Sequence, residues 1–550
     1  MIKDTYDFIC IGGGLGGLAA AIVTFDAGLD TLILEKSAKV GGVAAYSGGF
    51  IWAPDNHLQR ERGISDSLEE GMNYLEAVSG EADAGDLDLR RTLLETLPQA
   101  IEYYTWDAGV PFQIIEAVPD QYWPEASGSK PNGRNLEVVF PGTELGDWQD
   151  RVLVTPHYSA FGYSHAELAA IGGRIAATHP EHQQELRKRA DEDIRTHGSG
   201  LAAAFVKAAL VDREVDCITG ARVVRLLYED GVIAGVVADV EGTEMMIHSR
   251  SGVLIATGSY GNAPYAASTE GLPDLEESGP PVQDGDSLPL TDPTPAALVR
   301  AGGAVTTVGF HVPGEKHDGG DEPLFRQVFD SIAFPHSMIV NRDGRRFGDE
   351  SFYALMITAM RSFDDRAKRY PNYPCWLIVD DRFRIKYPIA SFAPGSRWPD
   401  EIPRADDLRT LATEIGVDGD GLEETVTHFN VWAEKGEDPD FRRGSLPYSH
   451  VWGDPEQQPN PNLGPVEQPP FWALRLQIVG AGVYSMGLAI DEHARVLTRD
   501  RDPVPGLYAT GNAVAYLEQP GYFGGLSNGR NIAYAFLAAS HAAGAATVST

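Results

Sequence analysis

Three glycines, Gly12, Gly14 and Gly17, sit between a short apolar run, Asp7 to Ile11, and an alanine-rich stretch that starts at Leu18. An acid, Glu35, follows 18 residues after Gly17, at the end of a second apolar run, Thr31 to Leu34. This is the spacing of a phosphate-binding turn. Gly12 permits a tight turn, Gly14 lets backbone approach a pyrophosphate, and Gly17 lets a helix pack onto a strand. The helix N-terminus offers free N–H groups and partial positive charge to the phosphates. Glu35 then accepts hydrogen bonds from a ribose diol. A lone glycine triplet is an ordinary turn; strand, helix and acid in register point to a dinucleotide site.

Further glycine clusters say which dinucleotide. Glu35-Lys36 is followed by Gly41-Gly42-Val43 and by Ser47-Gly48-Gly49-Phe50. Ala256-Thr257-Gly258 and Gly506 to Asn512 add two more strand-to-glycine turns. A flat ring lying against backbone needs such glycines. Together these pieces resemble the FAD domain of the fumarate reductase/succinate dehydrogenase flavoprotein superfamily. The resemblance implies FAD contacts at Gly12, Gly14, Leu15, Gly16, Gly17, Glu35, Lys36, Gly42, Val43, Ser47, Gly48, Gly49, Val223, Ala256, Thr257, Gly258, Gly511, Asn512, Gly525, Leu526 and Ser527. Covalent members carry the flavin on a His near the first helix, and Gly41 to Trp52 contains none. Noncovalent FAD is expected.

Fumarate reductases of that superfamily bind a dicarboxylate through a His-His-Thr-x-Gly-Gly motif and arginines. Here Val483-Tyr484-Ser485-Met486-Gly487 stands at the equivalent place, and Tyr353 to Met360 is apolar. A site without those cations cannot hold a dicarboxylate firmly. Tyrosines near the flavin suit an uncharged carbonyl compound instead. Pro119-Asp120-Gln121-Tyr122-Trp123 resembles a pocket segment of flavin-dependent 3-ketosteroid dehydrogenases, and Glu350-Ser351-Phe352-Tyr353 resembles the segment with their second pocket tyrosine. The resemblance implies an active site of Tyr484, Tyr353 and Tyr122, with a backbone N–H near Gly487 and with Phe50, Trp123 and Tyr522 lining the substrate pocket. Tyr484 would polarise the carbonyl as enolate character develops. Tyr353, paired with Tyr122, would take the α-proton. The β-hydrogen would leave as hydride to flavin N5, giving a conjugated enone. The expected activity is 1,2-desaturation of a cyclic ketone, either a 3-ketosteroid or a smaller cyclohexanone-like one, with an external electron acceptor. The alternatives are an enone or fumarate-type reductase and a noncatalytic flavin-binding, redox-sensing module.

The elements that position these residues follow from pattern. The first 35 residues read as one βαβ unit, and Val223 to Gly258 as a strand meander turning at Asp230-Gly231. Asn531 to Ala543 is a closing helix. The fold class is α/β: a discontinuous Rossmann-like FAD-binding domain over 1–290 and 451–550, with a mainly helical insertion over about 62–210. An α+β substrate or cap domain occupies 291–450. Among 550 residues, 44 Lys and Arg face 79 Asp and Glu, a net charge of −35. That disfavours nucleic acid and anionic membranes as partners. Three cysteines without a CxxC argue against a disulfide framework or metal cluster, and the glycine-interrupted N-terminal run reads as neither signal peptide nor membrane span. A cytoplasmic setting is expected.

Overall fold

The computed structural model describes residues 3–80, 84–158, 161–317, 320–515 and 523–548. Strand β1 (Thr5–Ile11), helix α1 (Leu15–Asp26) and strand β2 (Thr31–Glu35) form the expected βαβ unit, with Gly28 at φ +83° just after the helix. A long helix α2 (Ala84–Trp106) and a shorter α3 (His197–Val206) follow. Strand β3 (Asp216–Thr219) then leads into the meander β4 (Ala221–Glu229), β5 (Val232–Val240) and β6 (Thr243–Ile255). The chain next builds β7 (Thr306–Lys316), β8 (Pro323–Gln327), β9 (Ser337–Val340), α4 (Tyr353–Arg361), β10 (Cys375–Val379) and β11 (Phe471–Gly480). It returns as β12 (Pro503–Ala509) and α5 (Leu526–Val548).

Two sheets organise the molecule. In the first, β12, β6, β1, β2 and β3 lie side by side and all pair in parallel, with β5 and β4 attached to β6 as antiparallel strands. Every residue of β2 is buried, as expected where helices cover both faces of a parallel sheet. Helices α1 and α5 pack together over it, and their alanines permit close approach. The second sheet runs β8–β7–β11–β10–β9, with each of these neighbours antiparallel. Its pleat sends Leu377, Val379, Leu474 and Leu476 to one apolar cluster and Trp376, Ile378 and Ala473 to another.

One expectation about organisation needs correction. Strand β11 is central in the second sheet, and Glu276–Glu277 also pairs with it. The return to the nucleotide sheet therefore falls after Gly480, not at 451, because Phe471 to Gly480 is an apolar run whose partners are β7 and β10. Within 62–210 helices make up most of the regular structure, and a few short strands accompany them. Phe112–Ile114 and Asn135–Val138 pair with each other, and Ile51–Trp52 joins them. Cys10, Cys217 and Cys375 are free thiols. No described helix is long and apolar enough to cross a membrane.

Candidate functional site

At the C-terminal ends of β1, β2, β6 and β12 the parallel sheet opens into a long groove. Its floor is the glycine turn, and the geometry explains each glycine. Gly12 has φ +112°, and a Cβ there would lie 2.4 Å from the Ala256 carbonyl oxygen. A Cβ on Gly17 would lie 1.9 Å from the Gly12 oxygen, so only glycine lets α1 sit this close to β1. Glu35, 8% exposed, accepts hydrogen bonds from Gly13 N and Ser37 N, both at 2.8 Å. A carboxylate has acceptor capacity left for a diol. Lys36 is held across the groove by Asp284 and Asp286 at 2.9 and 2.6 Å.

Five buried polar atoms on the groove wall have no hydrogen-bond partner: Thr257 Oγ1, Gln283 Nε2, Asn512 Oδ1, Ser527 Oγ and Asn531 Oδ1. Buried polar groups are normally satisfied. Five orphans converging on one groove fit a ligand with many hydrogen-bonding groups, as a dinucleotide has. Of the residues expected to contact the cofactor, Gly12, Gly14, Leu15, Gly16, Glu35, Lys36, Gly42, Val43, Ser47, Val223, Ala256, Thr257, Gly258, Gly511, Asn512, Gly525 and Ser527 line the groove. Gly17 lies behind it as a packing glycine, and Leu526 is buried away from it. Asn528 and Asn531, one turn into α5, were missed. Their signal was present, because a helix that opens at a glycine turn presents its first-turn side chains to the same ligand.

A smaller chamber adjoins the groove and shares Val43, Ser47, Ala481, Gly525 and Asn528 with it. Gly48, Gly49 and Phe50 line this chamber together with Tyr46, Tyr158, Tyr353, Tyr448, Phe329 and Trp452. Its other wall is polar but uncharged: Ser278, Gly279, Thr306, Thr307 and Gln327. The hydroxyls of Thr306 and Thr307 are buried without hydrogen-bond partners. No charged side chain lines the chamber among the described residues.

The backbone that presents Tyr353 is tied down by buried ion pairs. Arg346 grips Glu350 at 2.7 Å and Asp438 at 2.9 Å, and Arg443 lies 3.5 Å from Glu350. The flanking charges hold the Glu350 carboxyl below its ordinary range against the opposing pull of burial, whereas burial raises the neighbouring Asp349 to about 6. Tyr353 is the first residue of α4, where the helix favours negative charge. Its ring packs 5.2 Å from that of Phe329.

The other expected catalytic residues lie elsewhere. The Tyr484 hydroxyl donates to Glu277 Oε2 at 2.5 Å, and its ring lies 5.1 Å from that of Tyr260. It is 2% exposed and lines neither cavity, and Gly487 packs against Val514 and Ala515 in a short strand. The carboxylate of Glu277 takes up the hydroxyl that a substrate carbonyl was expected to receive. Tyr122 packs edge-on to Phe352 at 5.4 Å, one shell behind Tyr353, and burial pushes its phenol up to about 12. Trp123 does not line the chamber, and Tyr522 lies outside the described residues.

Comparison with known proteins adds an independent line. Residues 7–526 match the family model described as FAD binding domain. The chain is 31% identical over 567 residues to 4-oxocyclohexanecarboxylate 2-dehydrogenase of Sinomonas cyclohexanicum, covering 99% of this chain and 94% of that one. It is 29% identical over 576 residues to 3-oxosteroid 1-dehydrogenase of Mycobacterium tuberculosis (strain ATCC 25618 / H37Rv), covering 99% of each. Among solved structures, 3-ketosteroid delta1-dehydrogenase from Sterolibacterium denitrificans in complex with 1,4-androstadiene-3,17-dione superposes with a TM-score of 0.85 at 28% identity, covering 99% of this chain and all of that one.

Proposed function

Because the chain belongs to the FAD-binding-domain family, within the fumarate reductase/succinate dehydrogenase flavoprotein superfamily, we propose that it desaturates a cyclic ketone beside its carbonyl. It is an FAD-dependent oxidoreductase of the 3-ketosteroid-dehydrogenase-like kind, and FAD fits the groove and its orphaned polar atoms. The observation that carries the reading is the uncharged, aromatic-and-hydroxyl chamber contiguous with the groove. The Sinomonas relative acts by name on a single-ring oxo acid and the mycobacterial one on an oxosteroid, both ring ketones.

The residues divide the work as follows. Phe50, Phe329 and Trp452 hold the ring and keep water out. The Thr306 and Thr307 hydroxyls face the carbonyl oxygen and strengthen their hold as negative charge grows on it. Tyr353 Oη takes the α-proton, helped by the positive end of α4. When bound, FAD supplies the acceptor for the two electrons that leave with the β-hydrogen. The runner-up is an enone reductase in the same chamber, since the same groups serve the reverse direction. Oxidised holoenzyme mixed anaerobically with a panel of cyclic ketones decides between them. Loss of the flavin absorption with formation of the conjugated enone is the expected result. Inertness to every ketone, with fast reoxidation of the reduced enzyme by an enone, favours the reductase.

A further inference from the structure

Behind the substrate chamber lies a second cavity of about 190 Å³. Tyr158 and Trp452 line both, so the two chambers meet at this aromatic pair. Tyr158 lies flat on His197, with ring centroids 4.8 Å apart and planes within 8°. Trp452 is held edge-on by Phe329 at 5.6 Å and His165 at 6.2 Å. The outer cavity differs from the inner one in chemistry. Arg174 lines it, and among the described residues no other Lys or Arg lines either chamber.

Arg174 is unusual in two respects. A quarter of its side-chain surface, 26%, is open, yet the group lies deep enough for desolvation to push its pKa down. Arg174 lines the wall of the outer cavity. Arg174 forms an ion pair with Asp330, the residue after Phe329. Phe329 touches Tyr353 in the inner chamber, so one dipeptide links the tyrosine at one end to the guanidinium at the other. The cavity that Arg174 lines adjoins the chamber that Tyr353 lines, with Tyr158 and Trp452 common to both. A guanidinium carries five donors in a planar fork, so Asp330 can hold one edge while another stays available. Asp330 offsets part of the charge, and the remaining donors do the recognising.

We infer that Arg174 anchors a carboxylate on the substrate, opposite the ketone, so that the preferred substrate is an anionic ring ketone rather than a neutral one. This rests on the ketone-desaturating reading above and names its substrate class. The two Thr hydroxyls receive the carbonyl, the aromatic walls receive the ring, and the carboxylate passes Tyr158 and Trp452 to reach Arg174. An isolated carboxylate cannot be buried without such a partner, whereas a neutral ester leaves the guanidinium donors unmet.

The test compares 4-oxocyclohexanecarboxylate with its methyl ester as reductants of the flavin in the holoenzyme. The acid should exceed the ester at least tenfold in kcat/KM. Arg174→Met should lower that acid-to-ester ratio at least tenfold, mainly through KM, and Arg174→Lys should restore part of it. Equal use of acid and ester by the wild type overturns the inference, as does an unmoved ratio in an Arg174→Met protein that retains FAD. If Arg174→Met misfolds because Asp330 is left buried and unpaired, Arg174→Met/Asp330→Asn removes both charges and yields the same ratio. Cyclohexanecarboxylate, which has no ketone, separates this inference from the proposed reaction. It should perturb the flavin spectrum in the wild type and not in the variant even if no ketone is turned over. Absence of that perturbation in the wild type counts against the anchor whatever the ketones do.

Discussion

At the scale of single residues, the two tyrosines singled out by sequence part company. Tyr353 lines the chamber at a helix start, and Tyr484 is spent on Glu277. Tyr353→Phe should slow flavin reduction by roughly 10²–10⁴, the usual worth of a positioned proton acceptor, while FAD stays bound. Tyr484→Phe should change the rate by less than about threefold, and its cost should appear in stability as about 1–3 kcal/mol, because a buried carboxylate loses a donor. Single-turnover reduction and chemical denaturation separate the two outcomes. Sequence placed Tyr484 well along the chain and poorly in space. Its neighbourhood in a superfamily motif was visible, but the partner that captures it lies 207 residues away. Titration offers a further check. Burial lowers His157 to about 4, so the folded state keeps it neutral while the unfolded chain protonates it near 6.5. Stability from this group is complete above pH 6.5 and is lost as pH falls towards 4, by about 3 kcal/mol in total. Asp349, raised to about 6, acts with the opposite sign over part of that range. The difference between wild type and His157→Asn isolates the histidine. The variant's stability should fall less steeply between pH 6.5 and 4, and parallel curves would remove His157 as the cause.

At the scale of elements, the turn between β1 and α1 was legible almost residue by residue, because its rule is local. Glycine is required where backbone meets backbone, and the spacing follows from one strand end and one helix turn. Gly17→Ala should therefore drive α1 away from β1, at a cost of about 1–3 kcal/mol for overpacking, and should release FAD. Absorbance of the purified protein near the flavin band, relative to protein absorbance, measures this directly. The chambers were legible only in part. Phe50 and Tyr353 were found, but His165, Arg174, His197, Tyr448 and Trp452 come from helix starts, a short helix and turns far apart in the chain, and only long-range packing brings them together. The cap boundary was missed for a related reason. A buried apolar strand such as β11 does not declare which of two sheets it joins.

At the scale of the whole molecule, the net charge of −35 sets a background against which every local pair works. Self-repulsion of this kind weakens the compact state and is screened by salt. The melting temperature should rise between 0.05 and 1 M sodium chloride, and a fall would mean that the surface ion pairs outweigh the repulsion. The parallel sheet carries a consequence for synthesis as well. Strands β1, β2, β3 and β6 are made early, yet β6 pairs on its outer side with β12, whose first residue follows Ile255 by roughly 250 positions, or on the order of 10–50 s of translation. Throughout that interval a nascent chain on the ribosome presents an unpaired, apolar strand edge and half a nucleotide groove, the situation in which intermolecular strand pairing competes. Premature termination anywhere between β6 and β12 leaves a product that can neither close its sheet nor retain its cofactor. Slow codons or stalling there should divert this protein to chaperones or inclusion bodies more readily than stalling after β12.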